Sequence, residues 1–141
     1  MKKKLAIIGA NYLQKALVQK ASSMDIETHV FAWEEGAIAA PFADHFYPIS
    51  ILDREAILKV CKDVGIDGIL SVGSETAMPT VNYVAHKLGL IGNSLESTLL
   101  STNKFEMRKR LSRNGICCPK FKNYQEANYE DGTLSYPLIV K

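Results

Sequence analysis

Lys4-Leu5-Ala6-Ile7-Ile8-Gly9-Ala10-Asn11 is the stretch that decides the fold. Leu5 to Ile8 is a continuous apolar run, which suits a strand buried on both faces as in a parallel sheet. Gly9 ends the run. Leu13, Ala16, Leu17 and Ala21 then fall at i, i+3, i+4 and i+8, a helical stripe, with Gln14, Lys15, Gln19 and Lys20 over the rest of the circumference. Ser22-Ser23 closes that helix. Ile26 to Ala32 alternates apolar and polar residues before an apolar pair and reads as a second strand. Strand, helix and strand in this order make a right-handed crossover between parallel neighbours.

The pattern continues outward. Residues 33–44 form a loop rich in Ala, Gly and Pro. His45 to Ile49 is a short strand that Pro48 interrupts, which places it at a sheet edge. Asp53 caps the next helix, with Glu55 near its positive end and Ile57, Leu58, Cys61 and Val64 inward; Gly65 ends it. Gly68 to Val72 reads as a buried strand, and Gly73-Ser74-Glu75 as the turn after it. Pro79 fits only a first helical turn, so a helix is expected from near Thr76, with Val81, Val84, Ala85 and Leu88 inward and Gly89 at its end. Leu90-Ile91-Gly92 reads as a brief further strand. The order β-α-β-β-α-β-α-β over about the first 92 residues predicts an α/β, Rossmann-like three-layer parallel sheet.

From Ser94 the character changes. Ser94 to Leu100 reads as a short helix. Asn103 caps another, with Glu106 three positions on as in a capping box, Phe105, Met107 and Leu111 inward, and Gly115 at the end. Residues 116–121 lead away through Pro119, residues 122–135 are polar and loop-like, and residues 136–141 carry an apolar strand signal.

Composition bounds the function. The 141 residues are 47% hydrophobic and 23% charged, globular values that exclude a disordered chain. Seventeen Lys+Arg against fifteen Asp+Glu leave a net charge of +2, too little for a dedicated nucleic-acid binder. Lys2, Lys3 and Lys4 do not open a signal peptide, because the apolar run behind them is too short. No run approaches 18 apolar residues, so no membrane span is expected. Cys61, Cys117 and Cys118 are odd in number and two are adjacent, which argues against a disulfide framework and for a reduced, cytoplasmic setting.

Several residues carry chemistry. Gly9 stands where dinucleotide-binding folds place G-x-G-x-x-G, but Gly9-Ala10-Asn11-Tyr12-Leu13-Gln14 keeps only the first glycine, and a tight turn is the preferred reading. Glu34 or Glu35 lies at a ribose-contact distance downstream. Gly73-Ser74-Glu75 follows a strand where open α/β sheets hold ligands; Glu75 reads equally as a contact to a substrate amine and as an acid favoured by the helix dipole. The segment Asn103–Arg113 holds five cations, Lys104, Arg108, Lys109, Arg110 and Arg113, against Glu106 alone. A solvated basic face accounts for most of them, but Lys104 opens the helix, where a lysine and backbone N–H groups can meet an anion. His29, His45 and His86 show no ligand spacing in the sequence, so no metal site is expected. Cys61 reads as core, Cys117 and Cys118 lack an activating histidine nearby, and Trp33 reads as covering a loop.

Ser101-Thr102-Asn103-Lys104-Phe105-Glu106-Met107-Arg108-Lys109-Arg110-Leu111, followed by Asn114-Gly115-Ile116-Cys117-Cys118-Pro119-Lys120-Phe121, resembles the linker of ATP-grasp enzymes. Tyr136-Pro137-Leu138-Ile139-Val140-Lys141 is similar to that superfamily's first nucleotide-binding strand, which ends in a lysine, and the unit before the linker resembles its pre-ATP-grasp domain. Carbamoyl-phosphate synthase large-subunit-like and biotin-carboxylase-like members are closest in pattern. The resemblance implies a pre-ATP-grasp domain over 1–93, linker helices over 94–121 and the start of an ATP-grasp domain over 122–141. It implies ATP and Mg²⁺ as cofactors and a small-molecule carboxylate as substrate, joined to an amine or similar nucleophile through an acyl phosphate. Lys104 and Lys141 would then contact ATP phosphates, while Gly9, Asn11, Gly73, Ser74 and Glu75 would face the substrate crevice. The glycine-rich flap, the Mg²⁺ ligands and the adenine hinge are missing, and Asn103 stands where many members have Asp. The chain thus reads as an N-terminal fragment that does not turn over ATP alone. A stand-alone Rossmann-like nucleotide- or metabolite-binding module and one chain of a split enzyme remain as alternatives. No nucleic-acid or membrane partner is expected; the edge near His45 and the apolar Ile38 to Phe42 offer a homodimer surface.

Overall fold

Residues 2–123, 134 and 136–139 are described by the structure, a computed structural model. The opening apolar run forms β1 (Lys4–Ile8), and Asn11 caps α1 (Tyr12–Ser23) by accepting the Leu13 N–H at 2.8 Å. β2 (Glu27–Phe31) follows, then a single 3-10 turn over Ala40–Phe42 and the short β3 (His45–Tyr47). Next come α2 (Arg54–Val64), β4 (Gly68–Leu70) and α3 (Met78–Leu88), followed by α4 (Leu95–Thr102) and α5 (Lys104–Arg113).

All strands pair in parallel in the order β3-β2-β1-β4. β1 is interior, which explains its continuous apolar sequence: Ala6, Ile7 and Ile8 are wholly buried. Its side chains alternate between two layers. Ile7 and Val30 pack with Val18 of α1 on one face. Ala6, Ile8 and Phe31 pack with Ile57 and Cys61 of α2 and Val81 and Val84 of α3 on the other. The Rossmann-like three-layer α/β architecture expected from the sequence is therefore present. Each fully buried Ile or Val contributes on the order of 1.5–3 kcal/mol relative to exposure, so the stability of residues 1–98 rests on these two layers.

The caps match their sequence signals. Asp53 accepts the Ala56 N–H at 3.1 Å, and Gly65 and Gly89 end α2 and α3 in the left-handed conformation. Asn103 caps α5, accepting from Phe105 and Glu106. β3 lies at the sheet edge, as Pro48 requires.

Three expectations are corrected. The inward face of α1 keeps Leu17 and Ala21 of the expected stripe but adds Gln14 and Val18 and leaves Ala16 exposed; the Gln14 amide turns inward and bonds the turn after β4. Leu90–Gly92 is not a strand: Ile91 is fully exposed, and Leu90 N bonds Ala85 O in the turn that closes α3. Residues 136–139 are not in a strand either, since no described residue pairs with them; Val140 and Lys141 lie outside the described residues, as does most of the 122–135 segment.

The chain divides into two compact units, residues 1–98 and 99–141. In the second, Phe105 and Phe121 meet edge to face at 5.6 Å, and none of its described residues is fully buried. Among the described residues no helix is long and apolar enough to cross a membrane.

Candidate functional site

β1 is followed through α1 by its neighbour β2, whereas β3 crosses through α2 to β4 on the other side of β1. The chain direction thus reverses beside β1, and in open α/β sheets the ligand crevice opens beyond the carboxyl ends of the strands at such a point. A crevice of about 360 Å³ lies there. Gly9, Ala10 and Asn11 line it after β1, Ala32, Trp33, Glu35, Gly36 and Ala37 after β2, Ile51 and Leu52 after β3, and Thr76 after β4. All four strands therefore contribute a loop.

The turns that shape it depend on backbone conformation. Gly9 has φ +98°, a value that L side chains rarely adopt, and its N–H donates to Phe31 O at 2.8 Å, tying the ends of β1 and β2 together. Ala39 N donates to Ala10 O at 2.9 Å and holds the 33–44 loop against the first turn. Gly73 has φ +62°, and a Cβ there would stand 2.5 Å from Leu13 Cδ1. Beneath the crevice, wholly buried Gln14 donates from Nε2 to Val72 O at 2.6 Å, while Ser71 Oγ donates to Ile8 O at 2.6 Å. These bonds link the turns after β1 and β4 and satisfy backbone carbonyls that the sheet leaves unpaired.

Of the residues expected at the crevice, Gly9 and Asn11 line it. Gly73, Ser74 and Glu75 lie in the adjoining turn, from which Thr76 reaches the crevice instead. Asn11 Oδ1 is engaged in capping α1, and Ser74 Oγ accepts the Ala77 N–H at 3.3 Å, so both hydroxyl and amide serve the helices that frame the site. Trp33 lines the crevice with 70% of its surface exposed. Glu35 supplies the one charged side chain of the lining. Its carboxylate suits an ammonium, an amide or a hydroxyl, and the apolar walls suit an uncharged body; this lining carries no cation for a phosphate.

Gln14 and Ser71 escaped the sequence reading, although a polar residue in the first turn of a helix that follows a glycine turn is a signal for such a strut. Lys104 opens α5 in the second unit. Asn103 Oδ1 accepts the N–H groups of Phe105 at 3.0 Å and Glu106 at 3.1 Å, so two of the donors expected to meet an anion beside Lys104 are occupied by the cap. Lys141 lies outside the described residues.

The cysteines are free thiols. Burial pushes the Cys61 thiol up to about 12, in keeping with a core residue. Two of the histidines meet through strand register rather than sequence spacing. Parallel pairing sets His29 opposite His45, and Glu27 lies two residues from His29 on the same face of β2. Glu27 Oε1 stands 3.0 Å from His29 Nε2 and 3.3 Å from His45 Nε2. Register joins residues sixteen positions apart, which spacing in the sequence does not reveal. Loss of hydration on burial pushes the His29 imidazole below its ordinary value, against the pull of Glu27. His86 is exposed and outside this group.

No protein-family profile matches the chain. It is 26% identical over 101 residues to the carbamoyl phosphate synthase large chain of Thermotoga neapolitana, covering 69% of this chain and 9% of that one. It is 20% identical over its whole length to the formate-dependent phosphoribosylglycinamide formyltransferase of Prochlorococcus marinus, covering 37% of that protein. The chain thus spans well under half the length of these curated relatives. Phosphoribosylglycinamide synthetase from Anaerococcus prevotii matches 82% of this chain and 30% of its own with a TM-score of 0.74 and 21% identity. The chain is thus similar to part of each of these proteins, and its likeness to the synthetase shows a shared fold.

Proposed function

We propose that the chain forms the amino-terminal part of an ATP-dependent ligase, in which a carboxylate is activated as an acyl phosphate and attacked by an amine or similar nucleophile. The observation that carries this reading is the crevice to which the loops after all four parallel strands contribute, in a chain whose whole length aligns with such a relative. The domain division over 1–93, 94–121 and 122–141 belongs to the same proposal.

In this reading the crevice takes the small-molecule substrate rather than the nucleotide. Glu35 in its lining and Glu75 beside it receive the amine or hydroxyl groups of that substrate, and Gly9 lets the backbone approach it closely. Lys104 and Lys141 serve the phosphates of ATP, because charge on a transferring phosphoryl group must be met by cations. Mg²⁺ accompanies ATP and neutralises its phosphates when bound, and its ligands are expected outside these 141 residues. The chain alone is expected to bind substrate without turning over ATP.

Trp33 is the one tryptophan of the chain and lines the crevice, so its fluorescence reports occupancy directly. Titration with phosphoribosylglycinamide, formate and small amino acids is expected to shift Trp33 emission for at least one of them, and Glu35→Gln to weaken that response about tenfold or more, the order of a hydrogen bond to a charged group. Mg-ATP alone is expected to bind more weakly than about 10 µM. Tight Mg-ATP binding that ignores Lys104→Ala, together with a silent Trp33, would sink the proposal.

A further inference from the structure

We propose that Glu27, His29 and His45 form a Zn²⁺-binding site at the amino-terminal edge of the sheet, on the opposite ends of the strands from the crevice. The three side chains each offer one ligand atom, and those atoms all lie within 4.8 Å of one another. Zinc takes nitrogen and carboxylate oxygen at about 2.0–2.2 Å, so two ligand atoms at the corners of a tetrahedron stand about 3.3 Å apart. The Glu27 oxygen already stands 3.0 Å and 3.3 Å from the two histidine nitrogens.

The surroundings are those of a ligand set. His29 is nearly wholly buried, and its other ring nitrogen, Nδ1, lies 3.1 Å from Tyr47 Oη. That hydroxyl fixes the ring's orientation. With a metal on Nε2 the Nδ1 carries the proton and donates to it, an outer-shell arrangement that zinc-bound histidines regularly have. His45, in contrast, is half in solvent, which leaves an open side for metal entry and for a water as fourth ligand. The two imidazoles are stacked 4.6 Å apart and 14° from parallel, so their lone pairs run side by side. Binding requires His45 to tilt toward Glu27, and its exposed side chain has room to do so. The metal would pin the three-residue edge strand β3 to β2, where few backbone bonds hold it.

Protein stripped of metal and titrated with Zn²⁺ against a chromophoric chelator is expected to bind one equivalent more tightly than about 10 µM. Co²⁺ is expected to give the visible absorption of a tetrahedral site. His45→Ala, at a half-exposed position, and Glu27→Gln, at a partly buried one where the amide keeps the size of the side chain, are each expected to weaken binding by roughly a hundredfold, as loss of one of three protein ligands demands. The double change Cys117→Ser with Cys118→Ser is expected to leave the affinity unmoved. Wild-type binding weaker than that limit, or an affinity indifferent to His45→Ala or Glu27→Gln, would mean that the three groups are only hydrogen-bonded, and would overturn the proposal.

Discussion

At the carboxyl ends of the strands, Gly9 and Gly73 bend the main chain, Asn11 caps α1, and Ser74 accepts from Ala77 N in the turn that leads into α3. At the amino ends, strand register brings Glu27, His29 and His45 together, while Asp44 and Asp67 each bond the backbone of a neighbouring strand through their side chains. One end is shaped by backbone conformation and the other by side-chain pairing. The two should therefore fail in different ways when altered, and the largest effects should come from the end where the backbone has no alternative.

Gly9→Ala tests that end first. It forces a β-carbon onto φ +98° and 3.3 Å from the Cδ of wholly buried Gln14, which cannot move without breaking its bond to Val72 O. The expected loss is about 2–3 kcal/mol by urea denaturation. Gly36 is the control on the same crevice: φ is +74°, but a Cβ there meets nothing within 4 Å. Gly36→Ala is expected to cost about 1 kcal/mol. Equal losses at both positions would show that conformation alone matters and that the Gln14 strut does not.

This contrast also explains what the sequence revealed. Backbone-shaped features announce themselves locally: Gly65 and Gly89 as helix ends, Asp53 and Asn103 as caps, Pro48 as an edge, and the run from Leu5 to Ile8 as an interior strand. The fold was legible from them. Register-shaped features were not, because nothing in the order of residues says that His29 will face His45, or that Gln14 will turn inward against an apolar stripe that seemed to exclude it. The crevice stood between these cases. Gly9 and Asn11 were visible as a turn and a cap, whereas Ile51 and Leu52 reach it only because β3 joins the sheet beside β2.

The amino end supplies the next effect. Asp44 Oδ2 accepts both the backbone N–H and the hydroxyl of buried Thr28, each at 2.8 Å, and Asp44 N donates back to Thr28 Oγ1 at 3.0 Å. Asp44→Ala leaves the Thr28 groups to find water from a buried position, at an expected cost of about 1.5 kcal/mol in thermal or urea unfolding. Thr28→Val keeps the backbone bond and should cost less. A larger loss from Thr28→Val would show that packing of the hydroxyl, not the carboxylate, holds β2 to the turn before β3.

Asn11→Ala returns to the carboxyl end, where the cap rather than the turn is removed. Its expected cost is about 1 kcal/mol, typical of an N-cap, read by denaturation. Ser74→Ala, whose bond to Ala77 N is longer at 3.3 Å, is expected to cost less. Because both residues frame the crevice without being consumed by it, the Trp33 response to ligand should survive either change; its loss in Asn11→Ala alone would mean that the Asn11 amide contacts the ligand as well as the helix.

The smallest effect separates charge from geometry at the amino end. Asp67 accepts from Lys3 Nζ at 2.6 Å and from the backbone N–H of Lys4 at 2.8 Å, and these bonds hold its carboxyl below the ordinary aspartate value, the Lys3 bond contributing most. A depressed carboxyl stabilises the folded chain at every pH above its unfolded value, and that contribution disappears as pH falls through the lower folded value. Asp67→Asn should therefore be less stable than the parent at neutral pH and indistinguishable from it in strong acid, with the two unfolding curves converging over the acid range below pH 4. Salt adds the decisive arm. The Lys3 ion pair is exposed and should be screened by added salt, whereas the bond from the β1 backbone should not. If 1 M salt abolishes the difference between parent and variant, Asp67 acts through charge alone; if part of the difference persists, the carboxylate anchors the first strand by geometry, as the other side chains at this end of the sheet do.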